Sequence, residues 1–172
     1  NNDTQVMEGW LDELIDTFEH QAQTGLVGAR LVYPDGSLQE SGGIIFSDGS
    51  GWNYGRGKDA ENPEYLFLRE TDYCSAACIA LKTKYFLKIG AFDERYSPAY
   101  FEDTDLAFRV RESGLKVLIQ PLSVIIHHEG ITSGTDTSGG TKKFQLVNQK
   151  KFTQRWQNEL ESQPEKISNP GD

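Results

Sequence analysis

Two hydrophobic periodicities follow one another at the start of this chain, and their succession limits the fold more than any other feature. Over residues 7–23 the apolar positions Trp10, Leu11, Leu14, Ile15 and Phe18 recur at helical spacing among acids, and Gly25 supplies a stop. Residues 26–33 are then almost continuously apolar, as in a buried strand, and Pro34-Asp35-Gly36 closes them with a turn from which residues 37–39 can return as a second strand. The pattern continues downstream. An apolar, β-compatible run covers 73–81, a short helix over 85–89 ends at Gly90, a helix over 102–113 ends at Gly114, and strands over 116–119 and 124–127 flank Pro121. Strands alternating with helices predict an α/β layered domain whose chemistry lies on loops at strand ends.

A chain of 172 residues with 37% hydrophobic content supports one domain with a sizeable core. Its body is expected over 1–131. Residues 132–141 are small and polar, the composition of a flexible loop able to act as a lid. Residues 142–172 read as an amphipathic helix carrying Phe144, Val147, Phe152 and Trp156, followed by a polar tail from Ser162. Between Gly42 and Pro63 glycines are dense, with Trp52, Tyr54 and Arg56 among them, which suits ligand contact and plain surface irregularity equally. No internal repeat is present.

The formal net charge of -9, with no basic patch, argues against nucleic acid as a partner. No apolar run approaches the roughly 20 residues that span a bilayer, so no transmembrane segment is expected, and the start lacks the layout of a signal peptide. Cys74 and Cys78 would lie roughly 13 Å apart on one extended strand, too far for a disulfide. Both read as reduced core thiols, without zinc-site spacing, which fits a cytoplasmic compartment.

Three polar clusters can carry chemistry. Asn1-Asn2-Asp3-Thr4 offers oxygen ligands for Mg²⁺ or Mn²⁺, and the same residues serve equally as a helix cap. Glu102-Asp103-Thr104-Asp105 follows Tyr100-Phe101 and crowds three carboxylates at a helix start; their mutual repulsion raises at least one pKa towards that of a general base, although the helix dipole alone would also favour acids there. Ile125-Ile126-His127-His128-Glu129-Gly130 ends a strand on two imidazoles that face opposite ways, so at most one faces a site, as a metal partner or as a hydrogen-bonding group.

Taken in order, Asn1-Asn2-Asp3-Thr4, Gly9-Trp10-Leu11, Gly90-Ala91-Phe92-Asp93-Glu94, the segment from Phe101-Glu102-Asp103 to Arg109, and Val124-Ile125-Ile126-His127-His128-Glu129-Gly130 resemble the family 2 glycosyltransferases of GT-A fold. The similarity runs from Asn1 to about Trp156 and includes Val32-Tyr33-Pro34-Asp35-Gly36 and Gly42-Gly43. It implies an α/β fold, a portion of a GT-A mixed sheet flanked by helices, with the N-terminal nucleotide-binding half absent. It also implies that Asn1, Asn2 and Asp3 face the donor diphosphate, that Asp3 and His127, rather than His128, hold Mn²⁺ or Mg²⁺, and that Asp103 is the base with Glu102 and Asp105 as supporting acids.

The reaction so implied is inverting transfer from a nucleotide-sugar donor to a carbohydrate or other hydroxyl acceptor. Its expected setting is bacterial polysaccharide or glycoconjugate synthesis, in the cytoplasm or at the inner face of the membrane. A start at Asn1, directly on a motif and without an initiator Met, reads as part of something longer, which by itself is expected to be inactive. Two other classes stay open: a noncatalytic carbohydrate-binding or scaffold module, suggested by Trp52 and Tyr54, and a metal-dependent hydrolase of nucleotide diphosphates. The donor, the acceptor and the oligomeric state are not legible.

Overall fold

The apolar run after the first helix becomes the central strand of the protein. In the computed structural model, which describes residues 2–128 and 143–166, β2 (Thr24–Val32) is buried along almost its whole length. It lies parallel to β8 (Lys116–His127). On the far side of β8, β1 (Thr4–Val6) pairs antiparallel, and on the far side of β2 lies antiparallel β3 (Leu38–Glu40), giving the order β1-β8-β2-β3. Two short strands, β6 (Arg69–Glu70) and β7 (Ile79–Ala80), pair with the first halves of β8 and β2. A separate hairpin of β4 (Gly43–Ile45) and β5 (Gly51–Asn53) occupies the glycine-rich segment. The architecture is the expected α/β one, a mixed sheet flanked by helices.

The two strands expected around Pro121 are one strand with a bulge. Ala29 pairs with Gln120 and the next residue, Arg30, with Val124, so residues 121–123 are extruded. Proline cannot donate to the ladder, and a bulge satisfies that restriction. Gln120 Nε2 donates to Thr17 Oγ1 at 3.0 Å and Ser123 Oγ to the Trp10 carbonyl at 2.8 Å, tying the bulge to α1 (Trp10–His20).

Gly25 does not end α1, as its spacing had suggested. The helix stops at His20, Gln23 takes φ 61°, and Gly25 already lies in β2. A Cβ there would sit 2.4 Å from Val110 Cγ1 and 2.8 Å from Leu115 Cβ, so this glycine allows α3 (Glu102–Glu112) and its exit to close on the sheet. Gly90 and Gly114 do follow α2 (Thr83–Lys88) and α3, each with positive φ.

The run over 73–81 is not a continuous strand. Only Ile79–Ala80 is extended in the sheet, while the Cys78 amide donates to the Ser75 carbonyl at 3.3 Å across a turn of small residues. Both cysteines are free; Cys74 is buried and Cys78 partly so.

At the C-terminal side, α4 (Lys143–Arg155) and α5 (Gln157–Leu160) bury Phe152, Trp156 and Leu160 in the main core with Phe101 and Phe108. The expected stripe is wrong at Val147, which is 49% exposed, while its neighbour Asn148 is fully buried. The expected lid at 132–141 lies outside the described residues. Among those residues no helix is long and apolar enough to cross a membrane.

Candidate functional site

Antiparallel pairing of Thr4 with His127 brings together residues from the two ends of the sequence pattern. The His128 amide donates to the Asp3 carbonyl at 2.9 Å and extends that pairing by one step. His127 Nε2 then lies 3.5 Å from Asp3 Oδ1, with both side chains largely buried. On its other side His127 Nδ1 bonds Gln39 Oε1 at 3.0 Å. An amide oxygen can only accept, so Nδ1 carries the proton of the neutral ring and Nε2 presents its lone pair towards the carboxylate. A lone pair and a carboxylate oxygen side by side form a donor set that a cation would stabilise, and one imidazole with one carboxylate suits Mn²⁺ or Mg²⁺ when substrate oxygens complete the shell. Among the described residues no three His, Cys, Asp or Glu side chains gather into a metal site of their own.

In the same cavity, the start of α3 presents Glu102 and Asp103. The backbone reaches it through two consecutive left-handed residues, Tyr100 at φ 73° and Phe101 at φ 72°. Such conformations cost a non-glycine residue on the order of 1–3 kcal/mol each and persist only where the surroundings impose them. Here α4 imposes them. The Asn148 amide donates to the carbonyls of Tyr96, Ala99 and Tyr100 at 2.7, 2.8 and 3.1 Å, and Phe152 packs its ring 5.3 Å from that of Phe101.

The two acids are not equivalent. Asp103 Oδ1 accepts from the Thr104 amide at 2.7 Å and from its hydroxyl at 3.3 Å, and Oδ2 accepts from the Ala76 amide at 3.1 Å. Glu102 Oε2 is buried with no hydrogen-bond partner among the described residues. Burial raises both groups: Glu102, pressed also by the Asp103 charge, is pushed up to about 7, and Asp103 is raised against the pull of its donors. Donors to a carboxylate favour its charged form. Asp103 is therefore the member that ionises first, with Glu102 keeping the shared proton.

Asp105 is not part of this site. It is fully buried on the other side of α3, bonded by Arg109 Nε at 2.8 Å, Trp156 Nε1 at 2.9 Å and Tyr96 Oη at 3.2 Å, and ion-paired with Arg155 Nη1 at 3.1 Å. The helical period explains the separation, since Asp105 is turned about 200° from Asp103 around the axis. The structure thus places this expected supporting acid away from the cavity, where it links α3 to the C-terminal helices. Asn2 is exposed and does not line the cavity, while Asn1 and Glu129 lie outside the described residues.

Asp3, His127, Glu102 and Asp103 share one cavity of about 720 Å³, a size suited to a small polar ligand. Trp52, Asn53 and Arg56 from the glycine-rich segment also line it. Gly43 brings the β4 backbone against the ring of Tyr73, which lines the wall; a Cβ at Gly43 would fall 1.9 Å from Tyr73 Cε1.

Two further wall residues, Gln39 and Glu40, were not recognised in the sequence. Leu31 pairs with Glu40 and Val32 with Leu38, so Gln39 is the extra residue of a bulge, and both side chains reach the cavity where a regular strand would turn one away. Glu40 is 1% exposed; Oε1 accepts from the Ser75 amide at 2.8 Å, and Oε2 is buried without a partner among the described residues. Burial first, opposed by the Ser75 bond and helped by the Asp103 charge, pushes its carboxyl up to about 8.

No family model matches the chain. It is 30% identical over 144 residues to the O-antigen biosynthesis protein RfbC of Myxococcus xanthus, covering 79% of this chain and 11% of that protein. It is 29% identical over 147 residues to an N-acetylglucosaminyl-diphospho-decaprenol L-rhamnosyltransferase of Mycobacterium tuberculosis, covering 79% of this chain and 48% of that enzyme. The chain thus spans at most about half the length of these relatives. Among solved structures, GalNAc-T7 with UDP, GalNAc and Mn²⁺ matches 92% of this chain and 31% of its own length, with a TM-score of 0.62 and 14% identity, and the two share a fold.

Proposed function

From a chain whose sequence and GT-A fold are family 2-like glycosyltransferase in kind, we propose transfer of a sugar, with inversion, from a nucleotide-diphosphate sugar to an acceptor hydroxyl. The setting we infer is bacterial polysaccharide or glycoconjugate synthesis, in the cytoplasm or at the inner membrane face. The observation that carries this reading is the placing of the Asp3–His127 pair and the Glu102–Asp103 pair on walls of one cavity.

Asp103 removes the proton of the acceptor hydroxyl as its oxygen attacks the anomeric carbon of the donor. The new carbon–oxygen bond forms as the bond to the diphosphate breaks, and a single displacement reverses the anomeric configuration. Glu102, pushed up to about 7, gives up its proton after Asp103 and leaves Asp103 as the first of the pair to ionise. Asp3 and His127 are the residues that would hold Mn²⁺ or Mg²⁺, which when bound would supply positive charge against the diphosphate. His127 is kept in the required tautomer by Gln39. The turn carrying Ser75 and Ala76 holds the base through the Ala76 amide.

The anomeric configuration of the product tests this reading. Proton NMR of sugar transferred by the full-length natural protein should show the configuration opposite to that of the donor. Retained configuration would contradict a single displacement, and nucleotide release independent of any acceptor would favour a hydrolase. A noncatalytic carbohydrate-binding module is the second reading, favoured by Trp52 on the cavity wall; sugar binding without turnover would establish it.

A further inference from the structure

The mechanism above uses three acids of the cavity, Asp3, Glu102 and Asp103, and leaves the fourth, Glu40, without a role. Glu40 is sealed from solvent, yet one of its oxygens meets no donor or acceptor among the described residues, and the residue lines the cavity. Buried polar atoms are nearly always bonded, so an exception in the wall of a binding cavity calls for a ligand atom. Its position is built rather than incidental. The bulge at Gln39 sets Glu40 on the wall, and the Ser75 amide fixes Oε1. The next amide, of Ala76, fixes Asp103 Oδ2. The two carboxyls are thus anchored by adjacent residues of one turn, about 3.8 Å apart along the chain.

We propose that Glu40 Oε2 is an acceptor-binding group, bonding a ring oxygen substituent next to the hydroxyl that Asp103 deprotonates, and so selecting carbohydrate acceptors that carry two neighbouring oxygens. The proposal rests on the transferase reading for Asp103 and adds to it the class of acceptor. With its carboxyl pushed up to about 8, Glu40 keeps its proton at neutral pH and donates from Oε2. A donor beside an ionised base favours an oxygen that accepts, such as a hydroxyl or an acetamido carbonyl, over a second cationic group.

The test is binding, read without turnover. Methyl glycosides of glucose, galactose, N-acetylglucosamine and rhamnose, each with its series of single deoxy analogues, are titrated against the full-length protein and against Glu40→Leu and Glu40→Gln, by ligand-observed NMR. The expected result is binding of at least one glycoside, weakened about tenfold by deleting one ring hydroxyl and by Glu40→Leu, with no further loss when both are combined. Glu40→Gln, whose amide can donate, should bind within about threefold of wild type. Where Glu40→Leu does not fold, Glu40→Ala completes the same cycle. Unchanged binding in Glu40→Leu, additive losses, or no glycoside binding at all would overturn the proposal. The two readings separate cleanly: Glu40-dependent binding without any transfer sinks the transferase reading alone, and transfer with Glu40-independent binding sinks this proposal alone.

Discussion

Glu40 and Asp103, 63 positions apart in sequence, are held by neighbouring amides of a single turn, Ser75 N–H on Glu40 Oε1 at 2.8 Å and Ala76 N–H on Asp103 Oδ2 at 3.1 Å. Two buried carboxyls in one cavity repel each other when both are ionised, and Asp103 and Glu40 divide the burden unequally because Asp103 has three donors and Glu40 one. The turn gives one amide to each acid, so the two donors that Thr104 adds to Asp103 are expected to set which acid carries charge.

This division predicts a stability that depends on pH. Glu40 binds its proton more tightly in the folded chain than in the unfolded one, so its favourable contribution is fully present below about 4.5 and is lost as pH rises through about 8. Asp103, Arg56, Tyr73 and Cys74 are the charged or titratable groups that face it electrostatically, and Glu102 adds a fall in the same direction up to about 7. Glu40→Gln stays neutral throughout. Thermal unfolding at pH 8.5 should give a Tm at least about 3 °C above wild type, with near parity at pH 4; equal shifts at both pH values would show that Glu40 is not held neutral.

Asn148 is expected to act on the site without touching it. Removing its amide frees three carbonyls before Tyr100–Phe101, and the left-handed pair loses its restraint. Asn148→Ala should destabilise the fold by roughly 1–3 kcal/mol and lower transfer by more than that loss of folded protein accounts for. Wild-type turnover per folded molecule would mean that Phe152 packing alone holds the start of α3.

Asp105 should behave as an anchor. Its carboxylate joins Arg109, Tyr96, Trp156 and Arg155 in the core, and taking one member from a buried charged network costs about 3–5 kcal/mol. Urea denaturation of Asp105→Ala should show a loss of that order. A variant of wild-type stability with lost activity would return Asp105 to the catalytic group.

Gly43→Ala tests the cavity wall. Its Cβ would overlap the Tyr73 ring, whose hydroxyl donates to Asn53 Oδ1 at 2.8 Å, so either the ring or the β4–β5 hairpin must move. Reduced sugar binding with a fall in Tm is expected; wild-type binding would show that the wall adapts.

Much of this was legible because local chemistry left local marks. The apolar periodicity located α1, β2 and α3, and the order of acidic and histidine motifs marked Asp3, Glu102, Asp103 and His127 before their pairing was known. What was illegible depended on register and on depth. Gly25 reads as a helix stop because a close packing contact with Val110 and Leu115 leaves the same residue choice as a cap. Asp105 shares a motif with Asp103, yet the helix turns it into the core, where four partners await it. Gln39 and Glu40 were hidden by a bulge, which no alternation of polar and apolar residues announces, although two polar residues on a strand beside Pro34-Asp35-Gly36 were a signal that could have been weighed.

The most direct test of the account is nucleotide release and sugar transfer by the full-length natural protein from a panel of UDP-, dTDP- and GDP-sugars, with Mn²⁺ and then with chelator, for wild type and Asp103→Asn. The account predicts transfer that needs the metal and falls at least about 100-fold in Asp103→Asn, with the folded state retained. Transfer at the wild-type rate in Asp103→Asn would contradict the assignment of the base, and transfer indifferent to chelator would contradict the role given to Asp3 and His127.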